Sequence, residues 1–389
     1  MAGIYLHIPF CSQFCTYCNF YSVKGRGFKE KYIQAVKIEI EERKDFFKDT
    51  GVSPRTIYFG GGTPSVFSPE QLGDVLQCII QVFNVEPVEV TIEVNPNDIT
   101  PEYAVALYQA GFNRVSMGVQ SFVDEHLKWM NRRHRGDEAV QAYCNLRSAG
   151  FENISLDLIF GYGGLTTELW EYNISKMVEL FPEHISAYQM SIEPGSVLGK
   201  QYDRGEYELP PDSLCQAQYN YLQEKLAAGG YEQYEISNFA RKNSFGALHK
   251  SIHNSSYWTK EPYIGLGPAA HSFNGKVRSW NNPSITNYCR YYSPSFHVLS
   301  GDERDELCKK VCGSEMLSGR DIFNESVMLG LRTVAGVDVR VLDPLLLEEV
   351  SCEIRHHLRC GNLVREGDKI KIPSGKLFVS DGILRDLFV

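Results

Sequence analysis

Short apolar runs alternate with longer amphipathic stretches through the first half of this chain. The runs at 4–8, 56–59, 88–94, 114–117, 154–159 and 184–189 are rich in β-branched and aromatic residues and predict strands. Between them, helical periodicity runs over 29–47, 69–83, 101–110, 124–130 with 137–149, and 167–179. Ser68-Pro69 and Thr100-Pro101 read as cap plus first turn, and Gly111 and Gly150 as stops. Strand–helix alternation predicts right-handed crossovers and a parallel sheet. The expected fold class is therefore α/β, and six such units make an incomplete parallel (β/α)6 barrel.

The second half is less regular. A Pro- and Ser-containing stretch near 295–307 gives way to Gly301-Asp-Glu-Arg-Asp-Glu306. Helical patterns follow at 321–334 and 343–359, then a strand pair about Glu366-Gly367-Asp368. Helices followed by a hairpin suggest a small C-terminal winged-helix-like domain. The expected organisation is a barrel over 1–220, a barrel extension over 221–300 and the C-terminal domain over 301–389.

Composition narrows the class. A chain of 389 residues, 43% of them hydrophobic, suits one large domain plus a smaller one. No apolar run approaches a membrane span, and no basic n-region with an apolar h-region marks a secretory signal. Eleven cysteines, an odd number, favour a reducing cytoplasm. A net charge of −9 argues against nucleic acid or an anionic membrane as the main partner. Membrane contact is expected only at the periphery, through a partner.

The chemistry starts with Cys11, Cys15 and Cys18, in Tyr5-Leu-His-Ile-Pro-Phe-Cys11-Ser-Gln-Phe-Cys15-Thr-Tyr-Cys18. Thiolates are soft ligands suited to iron–sulfur clusters. Three of them on a cubane leave the fourth iron open to a substrate. A structural zinc knuckle would need a fourth ligand, and His7, in a strand-like run, is a poor candidate. Phe59-Gly60-Gly61-Gly62-Thr63-Pro64 follows the second strand, where glycines let backbone approach a ligand. Glu93 ends the third strand. The fourth runs into Ser116-Met-Gly118-Val-Gln120-Ser121, with Arg132 beyond. Asp157 interrupts an apolar strand and needs hydrogen bonds or a ligand. Singly, these read equally well as a tight turn or a solvated carboxylate. Together they mark the strand ends where barrel sites collect.

The C-x3-C-x2-C spacing, with Tyr17 before its last cysteine, resembles the radical S-adenosylmethionine (SAM) superfamily. The resemblance implies a [4Fe-4S] cluster on Cys11, Cys15 and Cys18, with SAM chelated by the open iron. Reductive cleavage would then give a 5′-deoxyadenosyl radical. The glycine run matches the segment that holds the methionine amine of SAM. More closely, His7-Ile-Pro-Phe-Cys11, Gly60-Gly-Gly-Thr63-Pro64, Gly118-Val-Gln120-Ser121 and Asp157-Leu-Ile-Phe-Gly161 are similar to the oxygen-independent coproporphyrinogen III oxidase family. The similarity covers nearly the whole chain and implies two SAM molecules. Tyr5, Gly61 and Glu93 would serve one, with the Gly265-Leu-Gly267-Pro-Ala-Ala-His271 loop a further candidate. Tyr17, Gly62, Thr63, Gln120, Arg132 and Asp157 would serve the other.

Two departures bear on activity. The oxidases carry another cysteine where this chain has Phe20, and they have a long extension before the first strand. Both differences resemble the family's heme-chaperone branch, the HemW type. His253-Asn254-Ser-Ser-Tyr257-Trp258 is similar to that branch's H-N-x-x-Y-W heme-binding motif. It implies heme with His253 as iron ligand and Tyr257 and Trp258 as flat flanking surfaces. A lone histidine is otherwise a core or surface residue, but the Ser-, Asn- and Gly-rich surroundings predict a loop that lets it reach a planar ligand. His249 admits an H-x3-H metal pair, without a third ligand in view.

The resemblance thus implies a heme chaperone delivering to an apo-cytochrome or other respiratory hemoprotein, with a homodimer compatible. The alternative is a radical SAM enzyme acting on a tetrapyrrole, by propionate decarboxylation or by heme methylation and ring opening. Phe20 disfavours the decarboxylase. A DNA-binding regulator acting through the winged domain is disfavoured by the mixed charge of 343–360. Cys308, Cys312, Cys352 and Cys360 read as scattered thiols rather than a second metal site, and Cys78, Cys144, Cys215 and Cys289 carry no assigned chemistry.

Overall fold

A computed structural model describes residues 2–25 and 27–389. Six parallel strands form its centre: β1 (Ala2–Ile8), β2 (Pro54–Gly61), β3 (Glu89–Val94), β4 (Arg114–Gln120), β5 (Ile154–Phe160) and β6 (His184–Gln189). They pair in sequence order, and β1 does not meet β6, so the barrel is open. Helices α1 (Lys29–Glu42), α2 (Pro69–Phe83), α3 (Pro101–Gln109), α4 (Asp124–Trp129), α5 (Gly136–Ser148) and α6 (Thr167–Leu180) fill the crossovers. Local chemistry sets their starts. Ser68 and Gln71 form a capping box on α2, and Thr100 and Thr166 cap α3 and α6 through their hydroxyls.

The two faces of the barrel sheet differ. Ile4, Leu6, Ile57, Phe59, Ile92, Val115, Met117 and Leu156 are buried in the hydrophobic core. Each such side chain contributes about 2 kcal/mol. The alternate positions are polar: Tyr5 and His7, Thr56 and Tyr58, Thr91 and Glu93, Ser116, Ser155 and Asp157, His184 and Ser186. Strand residues alternate between faces, so this second row lines the concave interior.

After β6 come α7 (Val197–Asp203) and α8 (Asp212–Ala228), then β7 (Tyr231–Gln233) and β8 (Asn238–Arg241), which extend the β6 edge. Next is α9 (Ile252–Trp258), the H-N-x-x-Y-W segment. It is a helix rather than the expected loop. Ser251 caps it through Asn254 N, and the buried carboxylate of Glu89 accepts from Ile252 N and His253 N. That carboxylate comes from the far-off start of β3, which is why local composition does not show the helix.

At the other edge β9 (Tyr263–Leu266) pairs parallel with β1, followed by antiparallel β10 (His271–Phe273) and β11 (Val277–Asn281). Helices α10 (Ile285–Tyr291) and α11 (Gly301–Val311) lead to β12 (Cys312–Met316), which pairs with β11 and completes a 12-stranded sheet. Residues 312–316, expected in the C-terminal domain, thus belong to the barrel sheet. Their run Cys-Gly-Ser-Glu-Met has no apolar alternation to announce a strand.

The C-terminal unit holds α12 (Gly319–Leu331), β13 (Val337–Asp338), α13 (Pro344–Glu349), α14 (Ser351–Arg359), β14 (Val364–Glu366), β15 (Lys369–Lys371) and α15 (Ser380–Asp386). Its three strands form an antiparallel sheet in the order β13-β15-β14, matching the expected helices-then-hairpin layout. The single helix expected over 343–359 breaks at Val350. Ile236 N donates to Arg332 O and Val334 N to Tyr234 O, which ties this unit to the barrel.

Candidate functional site

The cysteine loop lies at the C-terminal mouth of the barrel. Val23 N donates to Pro9 O and Cys11 N to Val23 O, which folds the loop back on its own stem. Thr16 is held from both sides: its N–H donates to Met130 O, and its carbonyl accepts from Leu198 N. The glycine run docks against the same stem, with Gly62 N donating to Ile8 O and Thr63 N to Phe10 O. Thr63 Oγ1 lies 3.6 Å from Cys11 Sγ. Gly61 has φ of +106°, and a Cβ there would sit 2.6 Å from the His7 ring. Only glycine suits that approach.

Cys11, Cys15 and Cys18 are half-buried free thiols. Burial pushes Cys18 up to about 11 and also raises Cys11. Iron binding therefore has to displace protons from these sulfurs. Among the described residues, no three His, Cys, Asp or Glu side chains converge as on a single metal ion. A cubane makes no such demand, because each thiolate takes its own iron.

Beside the loop, Arg132 reaches Cys15 Sγ at 3.5 Å, Asn95 Oδ1 at 2.9 Å and the Gly118 carbonyl. Its Nε has no partner, and neither does the buried Oε1 of Gln120. Gln120 also holds a φ of +66°, in the left-handed region that favours glycine. Unsatisfied polar atoms and a sparsely populated backbone conformation at one mouth are expected of a site built to take a polar ligand. Asp157 accepts from Ser116 and Ser155 (3.3–3.4 Å), and burial raises its pKa.

Glu93 Oε1 accepts from Tyr58 OH at 2.8 Å and Oε2 from Gly61 N at 3.1 Å. Burial, with the Asp157 charge adding, pushes Glu93 up to about 7. Tyr5 packs on Tyr58 with ring centroids 6.0 Å apart, and its hydroxyl lies 3.3 Å from His7 Nδ1. Tyr17, half-buried in the cysteine loop, packs against the core. Tyr17, Gly61, Gly62, Thr63, Glu93, Gln120 and Arg132 thus lie about the mouth, whereas Tyr5 and Asp157 sit mid-strand, deeper in the barrel interior. A trivalent thiol loop, a glycine cradle and acceptors for hydroxyl groups fit a cluster carrying a polar nucleoside ligand.

His253 lies at the opposite, N-terminal end of the strands. It is fully buried. Nδ1 is 2.8 Å from Thr56 Oγ1 and Nε2 is 2.8 Å from Tyr257 OH. Its ring packs on Tyr58 at 5.1 Å. Burial, helped by Arg114, pushes it down to about 3, so the imidazole is neutral. Trp258 is half-exposed at the end of α9. His249 precedes the helix and does not share a turn with His253. The missed contributors are Thr56, Tyr58, Glu89 and Arg114. Their signal in the sequence is the polar row with a period of two along the strands, which marks the concave face.

An open parallel barrel with three cysteines at its mouth defines a radical SAM protein. Residues 5–173 match the family model of the Radical SAM superfamily, which brings a [4Fe-4S] cluster and SAM as its cofactors. The solved coproporphyrinogen III oxidase (HemN) of Escherichia coli overlays the whole chain and 90% of its own, with a TM-score of 0.79 at 21% identity, and shares the fold. The particular relatives are more specific. The heme chaperone HemW of Bacillus subtilis is 34% identical over 87% of this chain and 85% of its own length. That of Lactococcus lactis is 35% identical over 86% and 82%. The chain belongs to the HemW family of radical SAM proteins.

Proposed function

We propose that this protein is a heme carrier built on a cluster-and-SAM scaffold, which binds heme through His253 and passes it to a respiratory hemoprotein such as an apo-cytochrome. The observation that carries the reading is the placement of His253. A neutral imidazole contacts Tyr58, and Tyr58 in turn hydrogen-bonds Glu93 beside the glycine cradle. The ligand histidine and the SAM cradle thus share one barrel interior. The names of the curated relatives support the heme assignment. Phe20 stands 66% exposed where a catalytic oxidase would need another cysteine. Cys11, Cys15 and Cys18 would hold the cluster, which supplies a redox-active iron for SAM. Glu93 would accept from the ribose hydroxyls of one SAM, and Gln120, Arg132 and Asp157 would hold the other. All eleven cysteines are free thiols, as suits a reducing cytoplasm. Among the described residues no helix is long and apolar enough to cross a membrane.

The test is transfer. Anaerobic, cluster-loaded protein charged with one heme is mixed with an apo-cytochrome b, and the acceptor's absorbance is followed beside a free-heme control. Transfer faster or more complete than from free heme is expected. Heme retained by the carrier, or released no differently from free heme, contradicts the delivery role. A second reading, radical chemistry on a tetrapyrrole, is favoured by the unpartnered Arg132 Nε and Gln120 Oε1 beside the cysteine loop. One 5′-deoxyadenosine per decarboxylation of coproporphyrinogen III would establish it.

A further inference from the structure

His253 cannot bind iron in the conformation described above. Its side chain is fully buried and both ring nitrogens are engaged. The two sides of the ring are not equivalent. Nδ1 faces Thr56 of β2 and the backbone of β1, where a Cβ on Gly3 would sit 3.0 Å from it and 2.9 Å from Cε1. Strands β1 and β2 pair along their whole length, so this side cannot open without unzipping the sheet. Nε2 instead meets Tyr257 OH, a side chain one turn along the same short helix. Rotation of that tyrosine would free Nε2 of its hydrogen bond. Tyr257 is half-buried and packs edge-on against Tyr263, with ring centroids 4.8 Å apart.

We propose that Tyr257 is a positioning residue that caps the iron-binding nitrogen of His253, so that heme binds only after the tyrosine hydroxyl swings away, while Thr56 keeps hold of Nδ1. This rests on the reading of His253 as the heme ligand. It gives that reading a gate. A ligating histidine normally hydrogen-bonds through its other nitrogen, and Thr56 is already in place to receive that bond. The cap keeps the imidazole from stray metal ions until a ligand large enough to displace Tyr257 arrives. It also makes loading a two-step event, with cap opening before coordination.

The experiment is stopped-flow mixing of ferrous heme with the anaerobic, cluster-loaded protein over a range of heme concentrations. In the wild type the observed rate should level off at high heme, at the opening rate of the cap. In Tyr257→Phe, which keeps the ring and loses the hydroxyl, the plateau should rise about three- to ten-fold, the equivalent of one hydrogen bond. Tyr257→Leu, which also removes the hydroxyl and leaves Thr56 and Nδ1 untouched, is the second variant, should the first fold poorly, and should also raise the plateau. A wild-type rate that climbs linearly without levelling, or variants with an unchanged plateau, would overturn the gate while leaving His253 as ligand. Binding by His253→Ala with the wild-type spectrum and rate would overturn the ligand reading beneath it.

Discussion

Glu93 shows how a single residue carries both cost and use. Its carboxyl is pushed up to about 7 because burial and Asp157 disfavour the charge. In the proposed role, the ionised form is the one that would accept from two ribose hydroxyls. The folded group therefore loses ligand-binding form as pH falls through about 7. SAM affinity, measured by equilibrium dialysis, should drop about ten-fold from pH 8 to pH 6. Glu93→Gln should bind weakly at both. A flat wild-type profile would remove Glu93 from the binding of SAM.

The cysteines make an equally direct prediction. Cys15→Ser should lower iron in the anaerobically reconstituted protein from about four per chain to less than one, with loss of the cluster's visible absorbance. Retention of four irons would show that Cys15 is not a ligand. The thiols were legible because spacing alone fixes three of them in one loop; Asp157, in the middle of β5, was legible only as a polar residue in an apolar strand. His253 was legible in kind but not in setting. Its Ser- and Asn-rich surroundings read as loop, whereas Thr56 and Glu89, distant in sequence, bury it.

At the scale of elements, α9 is the piece on which the account turns. It has only seven residues and would not persist alone. Ser251 and Glu89 supply what it lacks, by satisfying N–H groups of its first turn. Ser251→Ala should cost about 1 kcal/mol in urea unfolding. Glu89→Gln should cost more, about 3 kcal/mol, because it also strips the buried Arg114, 4.0 Å away, of its carboxylate. Equal effects from the two substitutions would mean that Glu89 serves only as a cap. The strands of the barrel were readable in place and order, although β2 and β4 run on to Gly61 and Gln120, beyond the expected 59 and 117. Strands β9 to β12 were not. They are three to five residues long, and pairing with β1 and with one another, rather than their own pattern, makes them strands.

Across the whole molecule, one open barrel presents a thiol loop and glycine cradle at one end and a histidine plug at the other. Tyr58 and Glu93 lie between them, so the ends are joined by a short run of side chains. On the proposed reading, the SAM site and the heme-binding histidine would share one barrel wall. The polar inner row and apolar outer row of the sheet make this architecture possible, and both rows are written in the sequence with a period of two. What the sequence could not show is that 221–316 closes back on both edges of the barrel. The most direct measurement is an anaerobic titration of the cluster-loaded protein with heme, read by absorbance, beside His253→Ala. Saturation at one heme per chain is expected in the wild type, with a lost or spectrally altered complex in the variant. Identical binding in both proteins, or no specific binding in either, would contradict heme carriage through His253.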